Sequence, residues 1–372
     1  MISPYLVILL FLIFFTFLSE CSKDIEKISF SLIFVFLTLF LAFRYGQGTD
    51  FFGYNYLFNC IDNVHDAIFN PQKIHSEIGM RLLYAFFDNY IFFNMFVSVF
   101  VMTMLFRLLN KCSFNRCFAL LIFFPTCYLT YYFSAIRQAM ALSIFLGIML
   151  ECLIRNKNKQ YFVWNIIACC FHISAVILFI LPFLKKNDFI YSKKIIIGSI
   201  IGGIFFFIIC YFNLIPLFGR WKFTISGIAL LSYVERLISL CMVLKLAQIH
   251  NAKEKDELSM VLLNTYILGT CLYFNFWCLQ SISRLSIYFK GLECILIPYY
   301  LWKSVSKNYL YASIFSLIAI VMTVKNIDSY INQGLYYPDV SMLNYPYVSI
   351  FDSSDKIFDY RPRNSFKIIN LL

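Results

Sequence analysis

The sequence predicts an all-α, polytopic membrane protein, and three observations carry that prediction. Hydrophobic residues make up 61% of the chain and charged residues only 14%, against roughly half and about a quarter in a soluble domain. The mean hydropathy is +0.74, and the shortage of charge extends over nearly the whole chain, which argues for one membrane domain rather than two soluble ones. The apolar residues fall into runs of roughly 17 to 25, the length that crosses a bilayer core. The cations collect in the short connections between those runs.

In chain order the candidate spans are Ile2–Leu18, Ile28–Phe43, Leu83–Phe106, Cys117–Phe133, Gln138–Ile154, Ile195–Leu214, Ala229–Ile249, Ser259–Leu279, Ser286–Trp302 and Lys307–Val324. The first run lacks a basic leader and a small-residue cleavage site before Glu20, so it is expected to stay as an uncleaved span. Residues 1–324 form the transmembrane domain, with a long loop over 44–81. Residues 325–372 form a polar tail rich in Tyr, Asn, Asp and Ser. Gly198-x-x-x-Gly202 reads as a helix-packing contact.

The segment 161–184 is apolar but flanked on both sides by cations: Arg155, Lys157 and Lys159 before it, Lys185, Lys186, Lys193 and Lys194 after it. Basic loops stay on one side of a membrane. Two readings follow. A re-entrant segment dips in, turns near Phe171-His172 and returns, leaving ten spans; or the segment crosses once, making eleven. The dip makes the remaining loops consistent: those around Lys23, Lys111, Lys157, Lys185–Lys194, Lys253 and Lys303–Lys307 face inside. The 44–81 loop, Arg137, Arg220-Trp221-Lys222, Arg284, the tail and both termini then face outside.

The net charge of +11 does not mark a nucleic-acid binder, because no basic cluster sits on a soluble fold. The 13 cysteines are scattered, mostly within apolar runs where Cys acts as a small hydrophobe. No C-x-x-C pair or zinc-ligand spacing occurs.

A few polar residues resist a purely structural account. Arg44 and Asp50 flank Gly46 and Gly48 at the end of an apolar run; the glycines would let backbone amides form an anion nest. Position 51 is Phe, so this is no dinucleotide fingerprint. Arg137 and Gln138 open the fifth span, where polar groups are costly unless they line a cavity or reach the interface. His172 lies deep, beside Ser174. Arg284 stands at the next outer entrance. Glu77 and Arg81 are four apart before the third span, a helix-compatible spacing, and Glu235-Arg236 reads as a neutralising pair within its own span or as part of the same cavity. His65 and His75 have no ligand-like spacing. Guanidinium groups from separate spans, Arg44, Arg137 and Arg284, suit bidentate phosphate recognition on the outer side.

At these residues the sequence resembles the EpsG / Wzy-like polysaccharide polymerase family. The pieces that match, in order, are Phe43-Arg44 with Gly48-Thr49-Asp50 and Tyr54; Ile136-Arg137-Gln138; Phe171-His172-x-Ser174-Ala175; and Ser283-Arg284 with Tyr288-Phe289. Glu77-x-Gly79 and Tyr345-Pro346-Tyr347 match more weakly, and Gln47 stands where a small or apolar residue is expected. The resemblance implies a GT-C-like, multi-pass glycosyltransferase of the bacterial inner membrane. Its site would face the periplasm and link O-antigen, capsule or exopolysaccharide repeat units carried on undecaprenyl diphosphate. It implies that Arg44, Arg137 and Arg284 bind diphosphate or sugar. Asp50 or His172 then acts as catalytic base or orienting group, and Glu77, Gln138 and Tyr54 stand as secondary candidates. The choice of base among Asp50, Glu77 and His172 stays open. No D-x-D motif occurs in the outer loop, so the expected transfer uses no metal and no cofactor. Expected partners are the lipid-linked donor and acceptor, the bilayer and a chain-length regulator. A flippase for the same lipid-linked glycan is the alternative reading, and an acyltransferase a third.

Overall fold

The computed structural model describes residues 2–69, 76–112, 114–184, 193–212, 227–251, 257–279, 282–303 and 309–362. The expected loop positions Lys185, Lys186, Lys253, Lys307 and Arg220-Trp221-Lys222, and also His75, lie outside the described residues. Among the described residues the chain is helical, with no β-strand. Six helices among the described residues are long and apolar enough to cross a membrane, and the chain is an all-α polytopic membrane protein.

Helices α1 (Pro4–Leu18) and α2 (Lys23–Ala42) pack as an antiparallel pair. Ser22 caps α2 by accepting the Ile25 N–H, and Asp24 and Glu26 favour its positive end. The 43–89 segment follows with three short helices, α3 (Phe51–Asn59), α4 (Val64–Phe69) and α5 (Ile78–Tyr84). We call the end of the bundle that carries this segment the loop face, and the other end the basal face. Helix α6 (Tyr90–Leu109) returns to the basal face. Its start lies later than the expected Leu83, because α5 separates off as its own helix.

The centre of the bundle is built from two irregular helices. Helix α7 (Arg116–Phe123) continues as a π-helix over Phe124–Tyr132; α8 (Ile136–Ile144) continues through a π-turn, Phe145–Met149, into α9 (Leu150–Ile154). Pro125 has no N–H to give the helix, and the wider turn accommodates it. The side chains of both helices are almost wholly enclosed by protein. Helices α1, α2, α6 and α12 instead leave one flank of Leu, Ile, Val and Phe exposed, as a lipid-facing flank requires.

Helix α10 (Asn158–Phe171) rises from the basal face for about 21 Å. It ends at His172, whose extended backbone (φ −156°) turns the chain into a 3-10 helix over Ile173–Ile180 and α11 (Leu181–Leu184). The two arms lie antiparallel: the Tyr161 hydroxyl donates to the Leu178 carbonyl at 2.7 Å, and Phe162 stacks on Phe179. The segment therefore dips in and returns, with its turn at the expected residues.

Helices α12 (Lys193–Tyr211), α13 (Gly227–Asn251) and α14 (Glu257–Phe276) follow up, down and up. The expected Gly198 contact does not form: open space surrounds Gly198, and it is Gly202 and Gly203 that meet Asn275 and Phe274 of α14. The expected Ser286–Trp302 span is two helices, α15 (Ile282–Lys290) and α16 (Glu293–Lys303), broken at Gly291-Leu292. Helix α17 (Tyr309–Gly334) runs on past Val324. Its final turns are polar but packed against protein: Asn326 donates to the Pro125 carbonyl at 2.7 Å. Loss of hydropathy there does not end the helix. With the hairpin returning to the basal face, ten helical passages remain among the described residues, and Ser3 and Arg361 lie at the loop face.

This arrangement predicts a labelling pattern. With exposed Cys21 and Cys241 replaced by Ser, Lys157→Cys and Lys194→Cys should react with a membrane-impermeant maleimide from one side, and Ser341→Cys from the other. Reaction of positions 157 and 194 from opposite sides would mean that the segment crosses.

Candidate active site

The site begins where α2 ends. From Phe43 the chain turns through Gly46 and Gly48, at φ +67° and +85°, a region that only glycine enters cheaply. The C-terminal tail holds this turn. Tyr45 N–H donates to the Val348 carbonyl (2.9 Å) and Ile350 N–H to the Phe43 carbonyl (2.8 Å). The Gln47 side chain is fully buried; it accepts from the Tyr5 hydroxyl at 3.1 Å and donates to the Pro346 carbonyl at 2.6 Å. Gln47 is thus a structural anchor that the sequence pattern passed over.

Beyond Gly48 the Thr49 N–H donates to Ser134 Oγ at 2.8 Å, and the two hydroxyls bond each other. This amide serves the fold, so the expected anion nest lacks it. Ser134 lies in the short break between the π-helix and α8, and its role carried no sequence signal beyond that break. Thr49 Oγ1 also donates to Asp50 Oδ1 at 2.9 Å. Burial pushes the Asp50 carboxyl above its ordinary proton affinity, while the Thr49 hydroxyl and then the charges of Arg284 and Arg137 pull it back.

Arg137, in the first turn of α8, pairs with Glu77 (Nη1 to Oε2, 2.8 Å). Its guanidinium also lies 5.6 Å from the Tyr54 ring centroid. Tyr54 stands one turn into α3, its hydroxyl bonded toward both Asp50 and Arg137. Glu77 begins α5, and its other oxygen accepts the Ile173 N–H at the hairpin tip (3.2 Å). The expected Glu77–Arg81 association gives way to this longer-range pair.

At the tip, His172 Nδ1 accepts the Ser174 N–H (3.2 Å) and lies 2.6 Å from Ser174 Oγ, which in turn bonds the Tyr288 hydroxyl at 2.8 Å. An acceptor Nδ1 leaves the ring proton on Nε2. Gln138 Nε2 reaches Ser174 Oγ (3.4 Å) and donates to the Arg284 carbonyl, tying α8 to both the hairpin and α15. The Arg284 side chain is exposed, and it forms no ion pair among the described residues.

The structure therefore brings Asp50, Tyr54, Glu77, Arg137, Gln138, His172 and Arg284 into one cluster at the loop face. It does not bring Arg44 there. Arg44 is 2% exposed; it donates to the Leu41 carbonyl (2.6 Å) and Ser98 Oγ (3.3 Å) and lies 5.1 Å from the Phe133 ring centroid. The end of α2 offers a carbonyl with no helical partner, and the guanidinium turns inward to take it. Nor do Glu235 and Arg236 pair: Glu235 takes Lys290 at 2.6 Å. Among the described residues no three His, Cys, Asp or Glu side chains group as metal ligands. Chemically, the cluster offers a proton acceptor of raised basicity, one cation held by an acid and one exposed cation.

Gly48 sets this geometry. A Cβ there would lie 2.6 Å from the Phe133 carbonyl oxygen, so Gly48→Ala combines a clash with a disfavoured φ and should cost at least about 1 kcal/mol. Gly53, with open space around it, is the control. In detergent, Gly48→Ala should lower the unfolding temperature and Gly53→Ala should not; equal midpoints would contradict the packing described.

No curated protein and no solved structure matches the chain. The EpsG family model matches residues 27–349. That stretch includes the turn after α2, Glu77, the start of α8, the hairpin tip and Arg284, so the cluster lies wholly within it. The chain belongs to the EpsG family.

Proposed function

We propose that the protein is a membrane glycosyltransferase that polymerises undecaprenyl-diphosphate-linked oligosaccharide repeat units into O-antigen, capsule or exopolysaccharide. Family membership supports a membrane polysaccharide polymerase. The observation that carries the finer reading is the cluster itself: a carboxyl, a histidine and two arginines drawn from four separate segments to one end of the bundle. The basal face carries Arg107, Lys111, Arg116, Arg155 and Lys157, many of them around Glu26 and Glu151. Basic loops favour the cytoplasm, so the loop face and its cluster are assigned to the periplasm of the bacterial inner membrane.

In the proposed reaction a hydroxyl of the acceptor saccharide attacks the anomeric carbon of the donor's reducing-end sugar. A glycosidic C–O bond forms, the C–O bond to the diphosphate breaks, and undecaprenyl diphosphate leaves with the bonding electron pair. Asp50 takes the hydroxyl proton; its burial suits it to this better than an exposed carboxylate. Arg284, exposed and uncompensated, stabilises charge on the leaving diphosphate. Arg137, already held by Glu77, fixes Tyr54 and the tip. His172 donates from Nε2, which makes it an orienting group in this state. Arg44 positions the loop from behind.

Arg284→Ala removes an exposed side chain and should change stability by no more than about 0.5 kcal/mol, yet abolish long chains in a deletion strain at unchanged protein level. Asp50→Asn should slow polymerisation by roughly 10²–10⁴-fold. Because the Asp50 proton affinity is raised, wild-type activity should fail on acidification at a higher pH than an ordinary carboxylate near 3.9 would give. Normal chain-length ladders from both variants would refute the assignment.

A further inference from the structure

A second cavity opens at the loop face, behind the segment that carries Arg284. Its volume is about 330 Å³, and its walls come from the π-helix, α13, α14, α15 and α17. Three cations line it: Arg236, Lys290 and Lys325. Lys290 is paired with Glu235 at 2.6 Å, and Lys325 donates to the Ser232 hydroxyl. Arg236 is 7% exposed and lies 3.8 Å from the Tyr273 ring centroid. Its Nε has no hydrogen-bond partner, and it forms no ion pair among the described residues. Glu293 is buried nearby but accepts from the Tyr266 hydroxyl at 2.9 Å and is not part of the wall.

A buried guanidinium without an anion is costly. Three cations line the wall, while the two acids near them stand behind it, Glu235 taken by Lys290 and Glu293 bonded to Tyr266, so the wall itself presents only positive charge. Several cations around one space suit a diphosphate diester, with two negative charges, better than a phospholipid phosphodiester with one. Tyr131, Tyr273 and Trp277 also line the space and offer ring faces to a sugar. The cavity shares a wall with the cluster already described. The Tyr131 hydroxyl donates to the Ser283 carbonyl at 3.3 Å on one side, and Gln138 donates to the Arg284 carbonyl on the other.

We infer that this cavity is a second anion site, taking the diphosphate and first sugar of a prenyl-linked saccharide, apart from the Asp50–Arg284 cluster. Its use as the seat of one of two lipid-linked substrates rests on the polymerase reading; its affinity for a diphosphate does not.

The test is a thermal-shift titration of the purified full chain in detergent with farnesyl diphosphate, inorganic pyrophosphate and phosphatidylglycerol. Farnesyl diphosphate should raise the unfolding temperature saturably. Arg236→Gln and Lys325→Gln should each weaken its apparent Kd by about tenfold or more, as loss of a charge-assisted contact does. Arg236→Lys should restore most of the affinity, and Lys157→Gln, which removes an exposed cation of the basal face, should leave it unchanged. Unaltered affinity in both Arg236→Gln and Lys325→Gln, or an equal loss in Lys157→Gln, would overturn the site. Pyrophosphate or phosphatidylglycerol binding as tightly as farnesyl diphosphate would overturn the prenyl-diphosphate assignment. Intact polymer in Arg284→Ala cells would sink the polymerase reading while leaving the binding result standing.

Discussion

Everything at the loop face answers to one constraint: a helix that ends inside a bundle must find partners for its freed backbone groups. Helix α10 stops at Phe171, and the chain reverses at His172. The next two amides have no helical acceptors. Glu77 takes the Ile173 N–H, and the His172 ring takes that of Ser174. A carboxylate at this depth is itself expensive, and Arg137 offsets it at 2.8 Å. Gly79 permits the approach, since a Cβ on it would lie 2.7 Å from the Cys170 carbonyl oxygen. The polar groups that give the cluster its chemistry are, to this extent, the groups that keep the hairpin tip satisfied.

That coupling divides the arginines by role. Arg137 is committed to Glu77 and the tip, so its removal disturbs structure and charge together. Arg284 has its backbone fixed by Gln138 and its side chain exposed, so its charge is available to a ligand. Arg44 is the opposite extreme. It is closed between the end of α2, Ser98 of α6 and Phe133, and its backbone pairs with Ser349 of the tail. An enclosed guanidinium holds its surroundings in register, and here the surroundings are the turn that delivers Asp50. The role proposed for Asp50 thus depends on a residue that cannot touch what Asp50 touches.

The spans were legible because burial in hydrocarbon writes itself into local composition. The hairpin was only half legible: cations on both flanks of 161–184 left a dip and a single crossing equally open, and the packing of the two arms against each other decides for the dip. The tip at Phe171-His172 and the gathering of Asp50, Arg137, His172 and Arg284 could be read from motif order together with topology. Partner choice could not. Glu235 has Arg236 beside it in sequence, yet a helix turns adjacent residues about 100° apart, and Lys290 of α15 sits on the Glu235 side. Glu77 had Arg81 at helical spacing but begins its helix, leaving its carboxylate free to reach another span. The inward turn of Arg44 was hidden because a chain-end carbonyl leaves no trace in hydropathy.

The second cavity follows from irregular backbone in the same way. In the π-helix over Phe124–Tyr132 the Phe133 N–H reaches back to the Tyr128 carbonyl, and two other carbonyls of that helix take side chains of α17. Asn326 takes that of Pro125 and Tyr330 that of Leu129, both from α17. These bonds pin α17 against the π-helix. Lys290 and Glu235, near the α15–α16 break, join α15 to α13 on the opposite wall. With the two walls secured separately, the space between them cannot close by simple helix packing, and Arg236 and Lys325 are left facing one another's charge across it. Two like charges would relax apart in an adaptable bundle. Held in place, they make a gap that an anion stabilises, and the same carbonyl bonding that shapes the helix maintains it.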